Sequence, residues 1–265
     1  MRSFFTKFAT MSLHHNISAT ILTLNEESRI GACIDSLAGI ADEIIVVDSG
    51  STDSTVSICR SKGCRVVERP MKGYGAQRQY ATSLASHTYV LAIDADEELS
   101  PAVRDTLMAL KREGFSHRGY AFSRLNFYCG QPVKHCGWYP DTQVRLFDRR
   151  YANWNLRGVD ERVIFHDNVE PYQVDGDILH YRCATPEEFA ATEEAHARID
   201  AGQIARSGRR ISAISPWWNA VKAFMRCYVG QGAWMDGDMG REISRRRFLS
   251  VLHAYRLARV ATSEK

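Results

Sequence analysis

The sequence predicts an α/β fold: a mostly parallel central sheet with helices on both faces, followed by C-terminal helices. Three observations lead to this prediction. In the first half, short apolar segments alternate four times with helix-forming segments, as in a doubly wound sheet. Acidic motifs directly follow two of the apolar segments, and from Pro186 onward the pattern becomes helical.

The strands of the parallel sheet have the apolar or β-branched composition of buried strands. They are predicted at Ile17–Leu24, Glu43–Val47, Arg65–Glu68 and Tyr89–Ile93. Asp48 follows the second strand directly, and Asp94 and Asp96 follow the fourth. Ligands bind beyond the carboxyl ends of such strands, so we expect a site where these acidic residues meet.

The helices between the strands are recognised by their caps and their apolar spacing. They are predicted at about 25–37, 53–62 and 76–86, and from residue 101 onward. Asn25, Asp53 and Ser100 are expected to cap three of them, and Pro101 suits a first helical turn. After Gly119 short antiparallel strands are expected, and then helices at about 186–207, 216–230 and 241–260.

The fourth strand ends in an acidic cluster, Asp94-Ala95-Asp96-Glu97-Glu98. Unpaired carboxylates are costly to bury, so this cluster is expected at a cleft, a metal or water. Two carboxylates separated by one small residue suit a divalent cation that also binds phosphate oxygens. A solvated acidic loop before a helix is the alternative.

The composition is that of an ordinary globular protein, with 45% apolar and 25% charged residues and a net charge of +3. Seven scattered cysteines form no C-x-x-C pair and no spacing typical of zinc, so free thiols are expected. No apolar run approaches the roughly 18 residues that a membrane-spanning helix needs. Residues 1–15 are expected to be a flexible leader.

The charge is divided unevenly along the chain. From Gly202 to the end there are 12 basic and 4 acidic residues, a balance of +8, against −5 in the remainder. The last two predicted helices mix these basic residues with aromatic ones, which favours peripheral contact with an anionic inner membrane from the cytoplasm. Packing on the domain is the alternative, and no DNA- or RNA-binding motif is found, so nucleic acid is not expected as a partner.

Four motifs, in order and in spacing, resemble the donor-binding motifs of glycosyltransferase family 2. They are TLNEE (Thr23–Glu27), VVDSGSTDST (Val46–Thr55), KGYGAQRQYA (Lys72–Ala81) and IDADEEL (Ile93–Leu99). Three later motifs resemble one branch, the lipopolysaccharide-core beta-1,4-glucosyltransferases of Gram-negative bacteria. They are GWYPDTQVRLFDRR (Gly137–Arg150), VDERV (Val159–Val163) and LHY (Leu179–Tyr181).

This resemblance implies a GT-A fold, a nucleotide-sugar donor, a divalent metal (Mg²⁺ or Mn²⁺) and inversion at the anomeric carbon. It implies that Asp96, assisted by Asp94, holds the metal that neutralises the departing diphosphate. It also implies that Thr23, Glu26 and Asp48 line the nucleotide pocket. Ser49 departs from the pattern, since many members carry a second acidic residue there.

Five further residues are assigned roles on the same basis. Arg78 is expected to reach a phosphate, with a structural salt bridge as the alternative. Glu161 is the candidate base that takes the proton of the acceptor hydroxyl, with Asp160 in reserve and an exposed turn as the alternative. Arg145 and Trp138 are expected in the cleft wall near the sugar, although Trp138 suits an ordinary core equally well.

The predicted function is inverting transfer of a hexose from a UDP-sugar to a lipopolysaccharide-core or related lipid-linked saccharide. Glucose is the preferred candidate for the hexose. The catalytic domain is predicted over 16–200, with a nucleotide-sugar half (16–118) and an acceptor half (119–200), before a basic helical extension (201–265). Another polysaccharide or a protein is the alternative acceptor. A nucleotidyltransferase, which would carry a Gly-rich basic loop after the first strand, and a non-catalytic sugar-binding module are the other readings.

Overall fold

The α/β fold predicted from the sequence is confirmed. The computed structural model of the chain describes residues 15–156, 161–207 and 211–263. Their secondary structure combines a nine-stranded sheet with seven α-helices. The described residues divide into two compact units, one of residues up to 122 together with 143–177, the other of residues 123–142 together with those from 178 onward.

The parallel part of the sheet lies in the first unit. Its strands are β1 (Ile17–Thr23), β2 (Glu43–Asp48), β3 (Arg65–Glu68) and β4 (Tyr89–Asp94). They pair in the order β3-β2-β1-β4, and each begins and ends within one residue of its predicted position. The register sets Thr23 beside Asp48 and Leu22 beside Asp94. The acidic ends of β2 and β4 therefore lie at one edge of the sheet.

Helices follow these strands as predicted. They are α1 (Ile30–Ser36), α2 (Thr55–Ser61), α3 (Tyr74–Leu84) and α4 (Pro101–Glu113). Ser100 caps α4 by accepting a hydrogen bond from the amide of Val103 at 3.4 Å. The predicted start of α1 is wrong: its N-cap is Arg29, and Asn25 has a φ of 56°, outside the helical region.

Strands of 2 to 12 residues complete the sheet. They are β5 (Glu97–Leu99), β6 (Gly119–Tyr128), β7 (Gln131–Pro132), β8 (Asp141–Asp148) and β11 (Tyr172–Cys183), with β9 (Ala152–Trp154) and β10 (Val163–Phe165) forming a separate antiparallel pair. The order continues β4-β8-β6-β11-β5, and β8 runs antiparallel to β4, as expected for this half of the chain. Strand β5, inside the acidic cluster, was not predicted.

The second unit is mostly helical. It contains α5 (Pro186–Arg206), α6 (Ser215–Met225), a π-helical turn (Arg226–Gly230), a 3₁₀ turn (Ala233–Asp236) and α7 (Gly237–Ser263). Helix α5 continues past residue 200, the predicted end of the catalytic domain. Within the described ranges, no helix combines the length and the apolarity needed to cross a membrane.

Each unit has its own buried core. In the first, Phe147 and Trp154 pack with the strand residues Ile45 and Val90. In the second, Phe189 and Ile243 join a group that includes four cysteines. Every cysteine in the chain is a free thiol, as predicted. Burying a large apolar side chain contributes about 1.5–3 kcal/mol, so these clusters are what hold each unit together.

Candidate active site

The loops that follow β1 and β2 are hydrogen-bonded to each other. The amide of Asn25 donates to Ser51 Oγ, the Asn25 side chain accepts from the amide of Thr52, and the amide of Glu26 donates to Thr55 Oγ1, each at 2.8 Å. Asn25 Oδ1, which would have capped a helix that starts here, instead accepts from the amide of Thr52. The TLNEE and VVDSGSTDST segments therefore form one connected surface at the sheet edge.

Asp48 lies at the centre of this surface and is 1% exposed. Its Oδ1 accepts from Thr23 Oγ1 at 2.9 Å and from Ser51 Oγ at 2.5 Å, and its Oδ2 accepts from the amides of Gly50 and Ser51 at 2.9 and 2.8 Å. Burial by itself raises the pKa of Asp48, but these hydrogen bonds outweigh it and hold the pKa below its ordinary value. Four donors fill the acceptor positions of the carboxylate, so Asp48 shapes the turn in this structure.

The two other residues predicted for the nucleotide pocket lie beside this turn. Thr23 is buried and donates to Asp48. The half-buried Glu26 forms an ion pair of 3.4 Å with Arg29, three positions along the chain. The structure thus brings Thr23, Glu26 and Asp48 together at the ends of β1 and β2.

Asp94, at the end of β4, lies between two arginines. Its Oδ1 accepts from Arg78 Nη2 at 2.6 Å, and its Oδ2 accepts from Arg145 Nη2 at 2.8 Å. Arg78 comes from α3 and Arg145 from β8, so three elements contribute to the cluster. Both oxygens that could bind a metal are thus engaged by guanidinium groups, and Arg78 takes the salt-bridge role that was the alternative to phosphate binding.

Arg145 also pairs with Glu97, whose side chain is fully buried. Arg145 Nη2 donates to Glu97 Oε1 at 2.5 Å, while Glu97 Oε2 accepts from the amide of Asp94 at 3.0 Å. Burial alone lowers the pKa of Arg145, but the carboxylates of Glu97 and Asp94 outweigh it and raise the pKa. The expectation that the acidic cluster opens to a cleft therefore fails for Glu97, which is a buried ion-pair partner.

Glu161, the candidate base, joins the same cluster through Arg78. Arg78 Nε donates to Glu161 Oε1 at 3.4 Å, and the guanidinium carbon lies 4.6 Å from the ring centre of Trp154. The Glu161 side chain is 20% exposed, so it is not the exposed turn that was the alternative. Asp160, the reserve base, lies outside the described residues.

Asp96 and Glu98 alternate with the buried residues Ala95, Glu97 and Leu99. Both are half-buried, and burial raises the pKa of Glu98. Among residues 15–156, 161–207 and 211–263, no group of three or more His, Cys, Asp or Glu side chains is arranged to hold a metal ion. A metal site that the protein completes alone is therefore absent from this part of the chain.

Trp138 belongs to the second unit, where it contacts other core residues. Its ring centre lies 5.7 Å from that of Phe189 and 4.7 Å from the guanidinium carbon of Arg182. Its carbonyl accepts from Asn126 Nδ2 at 2.7 Å, and the other amide atom of Asn126, Oδ1, lies 2.6 Å from His180 Nδ1. These contacts match the core alternative for Trp138.

Sequence reasoning missed three contributors to this site. Glu97 was seen only as one of four carboxylates, and the ring of Trp154 against Arg78 was not foreseen. Gly75 was read as part of a motif, yet its backbone passes so close to the next segment that an added Cβ would lie 2.2 Å from the carbonyl oxygen of Asn155. The two glycines of Gly73-Tyr74-Gly75 were the sequence feature that could have indicated a close approach of the backbone.

Comparison with known proteins bears on this geometry. The profile described as "Glycosyl transferase family 2" matches residues 18–134, which contain the four motifs between Thr23 and Leu99 named in the sequence analysis. The lipopolysaccharide core biosynthesis glycosyltransferase LpsC of Rhizobium meliloti is 31% identical over 235 residues, 84% of this chain and 84% of that protein. A glycosyltransferase of Rickettsia typhi is 30% identical over 80% of this chain and 77% of its own length.

The chain belongs to glycosyltransferase family 2. The identities extend over most of both sequences, well beyond the profile match, so the membership concerns the whole described protein rather than the donor-binding half. In this glycosyltransferase Asp48, and the cluster of Arg78, Asp94 and Glu161, fall in the segments that the family resemblance singled out.

Solved structures give more distant similarity to this glycosyltransferase. Glucosyl-3-phosphoglycerate synthase of Mycobacterium tuberculosis, crystallised with Mn²⁺, UDP and glucosyl-3-phosphoglycerate, is 31% identical over 43% of this chain and 44% of that one, with a TM-score of 0.34. Staphylococcus aureus TarS aligns with 70% of this chain and 39% of its own at 17% identity, with a TM-score of 0.45.

Proposed function

We propose that this glycosyltransferase moves a hexose, glucose first, from a UDP-linked donor to a saccharide of the lipopolysaccharide core or a related lipid-linked glycan, with inversion. The observation that carries the proposal is the charge cluster at the end of β4, where Arg78 joins Asp94 to Glu161. This cluster lies at the sheet edge where α/β proteins bind nucleotides. The similarity to LpsC supports the choice of acceptor class.

A divalent metal, Mg²⁺ or Mn²⁺, fits this site only together with the donor. Asp94 accepts from two guanidinium groups, and in this proposal the half-buried Asp96, two residues further on, is the direct ligand. One or two carboxylates plus substrate phosphates and water are a donor set that Mg²⁺ accepts. When bound, the metal would neutralise negative charge on the departing diphosphate. The sequence predicted two aspartate ligands for the metal. In this proposal Asp96 binds the metal directly, and Asp94 holds the end of β4 in place through Arg78 and Arg145.

The chain's own residues supply the remaining steps. Glu161 takes the proton of the acceptor hydroxyl as that oxygen bonds to the anomeric carbon and the diphosphate leaves. Arg78 holds Glu161 in place through the contact between its Nε and Oε1 of Glu161. The Asp48 turn fixes the loop that receives the nucleoside, so Thr23, Glu26 and Asp48 act by shaping the pocket wall. Arg145 acts through Asp94, and Trp138 supports the acceptor half.

We also propose that the second unit contacts an anionic inner membrane peripherally, on the cytoplasmic side. Around α6 and the turn after it, several large apolar side chains are exposed. They are Ile214, Trp217, Trp218, Met225, Val229 and Trp234. On this face Arg256 of α7 lies over Trp217, with its guanidinium carbon 5.3 Å from the ring centre. Aromatic and basic residues together suit the headgroup region of an anionic bilayer.

The donor assignment is tested by measuring UDP release from UDP-glucose, with Mn²⁺, with Mg²⁺ and with excess EDTA. We expect release that requires the metal and increases when a lipopolysaccharide-core acceptor is added. Full activity in EDTA, or in Asp96→Ala, would contradict the proposal. Pyrophosphate release from UTP and a sugar phosphate would identify a nucleotidyltransferase instead, and transfer to protein or another polysaccharide would correct the acceptor.

A further inference from the structure

The second unit contains a cavity of about 560 Å³ whose walls come from β11, α5, α6, the π-helical turn and α7. This volume lies in the range of small-molecule sites. The residues assigned to donor chemistry belong to the first unit, whereas the residues that line the cavity, Trp138 among them, belong to the second.

Four cationic side chains line the cavity, each from a different element. Arg182 comes from β11, Lys222 from α6, Arg226 from the π-helical turn and Arg247 from α7. Within the ranges described, only Arg182 has a carboxylate oxygen within 4 Å, Glu193 Oε1 at 3.7 Å. Cations that converge from four elements, three of them with no carboxylate within 4 Å among the described residues, make a strong anion-binding surface.

Glu193, on α5, indicates that a ligand of this cavity would also have to donate a hydrogen bond. The residue is 8% exposed, and its Oε2 has no hydrogen-bond partner. Its Oε1 is 3.7 Å from Arg182 and 3.8 Å from His196, beyond hydrogen-bond distance in both cases. Burial raises the pKa of Glu193, but His196 and Arg182 outweigh it, so the group is ionised at neutral pH. The buried, ionised Oε2 of Glu193 is therefore stabilised by a ligand that donates a hydrogen bond to it, for example from a hydroxyl group.

The remaining titratable groups leave the cavity positive. The thiols of Cys136 and Cys227 also line it. Hydrogen bonding with Cys136 lowers the pKa of Cys227 to about 6, while the pKa of Cys136 is raised, so this pair adds at most one negative charge. Glu193 adds another, and the four cations keep an excess of at least two positive charges.

We propose that this cavity binds a saccharide that carries a phosphate or carboxylate group. Lys222, Arg226 and Arg247 receive the anion, and Glu193 Oε2 accepts from a sugar hydroxyl. An inorganic anion would satisfy the cations but not the carboxylate, and a neutral sugar would satisfy only Glu193. Resting on the proposed function, the ligand is the charged part of the saccharide acceptor.

The test is calorimetric binding of glucose 6-phosphate, inorganic phosphate and glucose to the full chain. We expect glucose 6-phosphate to bind at least tenfold more tightly than either of the others. Lys222→Gln with Arg247→Gln should weaken its binding by about tenfold per lost cation. Lys134→Gln with Arg198→Gln removes two exposed charges of the same unit outside the cavity and should leave binding unchanged.

Glu193→Gln separates the two halves of the site. It should weaken binding of glucose 6-phosphate while leaving inorganic phosphate at least as well bound, since a negative charge is lost. The proposal is overturned if glucose 6-phosphate does not bind, if phosphate binds equally well, or if the Lys222/Arg247 variant binds like the wild type. It is also overturned if vesicles with 30% phosphatidylglycerol displace glucose 6-phosphate, since the cations would then serve a lipid headgroup.

Binding of UDP with Mn²⁺ is measured on the same samples. The Lys222/Arg247 variant should bind UDP like the wild type, because these residues lie in the other unit. If glucose 6-phosphate binds as expected but UDP-glucose is never turned over, the donor assignment fails and the anionic-sugar site stands, without its acceptor role. If turnover is intact and glucose 6-phosphate does not bind, only the cavity assignment fails.

Discussion

Arg78 donates through Nε to Oε1 of Glu161 at 3.4 Å, although the two residues are 83 positions apart. The same guanidinium group donates through Nη2 to Asp94 at 2.6 Å. The candidate base is thereby connected to the end of β4, where the acidic segment Asp94-Ala95-Asp96 begins. This connection is what makes Glu161 a better base candidate than its place in the sequence alone suggests.

Replacing Glu161 with Gln should lower the rate of sugar transfer at least about 100-fold, because the amide cannot take the acceptor proton. Binding of UDP-glucose should stay within about twofold, since the donor pocket is unchanged. The measurement is kcat for transfer beside calorimetric donor binding. Glu170→Gln, an exposed carboxylate in the same unit, is the matched control. Transfer that stays within tenfold of the wild type would rule Glu161 out as the base.

The Arg145–Glu97 pair should be a large contributor to the stability of the first unit. Arg145→Met leaves the fully buried Glu97 carboxylate without its cation, which costs about 3–5 kcal/mol in the free energy of unfolding. Arg145→Met with Glu97→Gln should recover part of this loss. Arg60→Met breaks an exposed pair with Glu68 and should change stability by less than about 1 kcal/mol. Urea unfolding of the wild type and the three variants measures these changes. Equal losses of unfolding free energy in Arg145→Met and Arg60→Met would contradict the stabilising role of the buried pair.

Asp48 should make the first unit sensitive to acid. Its folded pKa is depressed, so its stabilising effect is complete above the unfolded value of about 3.9 and is lost as the pH falls through the folded value. Asp48→Asn sets an NH₂ group against the amides of Gly50 and Ser51, and should lower the free energy of unfolding at pH 7 by about 2 kcal/mol. The gap between variant and wild type should narrow below pH 4. A gap that is constant from pH 7 to pH 3 would contradict this assignment.

Trp218 should contribute to membrane contact. It is 68% exposed on α6, among other exposed apolar side chains. Trp218→Ser should weaken sedimentation with phosphatidylglycerol vesicles by about tenfold, because an interfacial aromatic anchor is lost. Ile164→Ser, at a 52% exposed position in the first unit, should not change it. Wild-type protein that stays in the supernatant at low salt would remove the membrane proposal.

The parallel sheet was readable from the sequence because its strands are short apolar segments with clear ends. The start of α4 was readable as well, since Ser100 and Pro101 act locally. The start of α1 was not, because Asn25 bonds to Ser51 and Thr52, which lie 26 and 27 positions away. Capping patterns, which involve only neighbouring residues, carry no information about such distant partners.

The site was predictable in its location but not in its internal pairing. The strand ends fixed where Asp48 and Asp94 lie. That Glu97 is fully buried could not be read from the sequence, because its partner Arg145 is 48 positions away on another strand. For the same reason the sequence does not show that Arg145 donates to Asp94, one of the two predicted metal ligands, alongside Arg78.

The measurement that tests the central claim most directly is calorimetric binding of UDP to the wild type and to Asp96→Asn, each with and without Mn²⁺. Asp105→Asn, an exposed aspartate on α4, is the matched control. We expect Mn²⁺ to strengthen UDP binding at least about tenfold in the wild type and in Asp105→Asn, and to have no effect in Asp96→Asn. An equal response to Mn²⁺ in all three proteins would contradict the assignment of the β4 strand end as the nucleotide-sugar site.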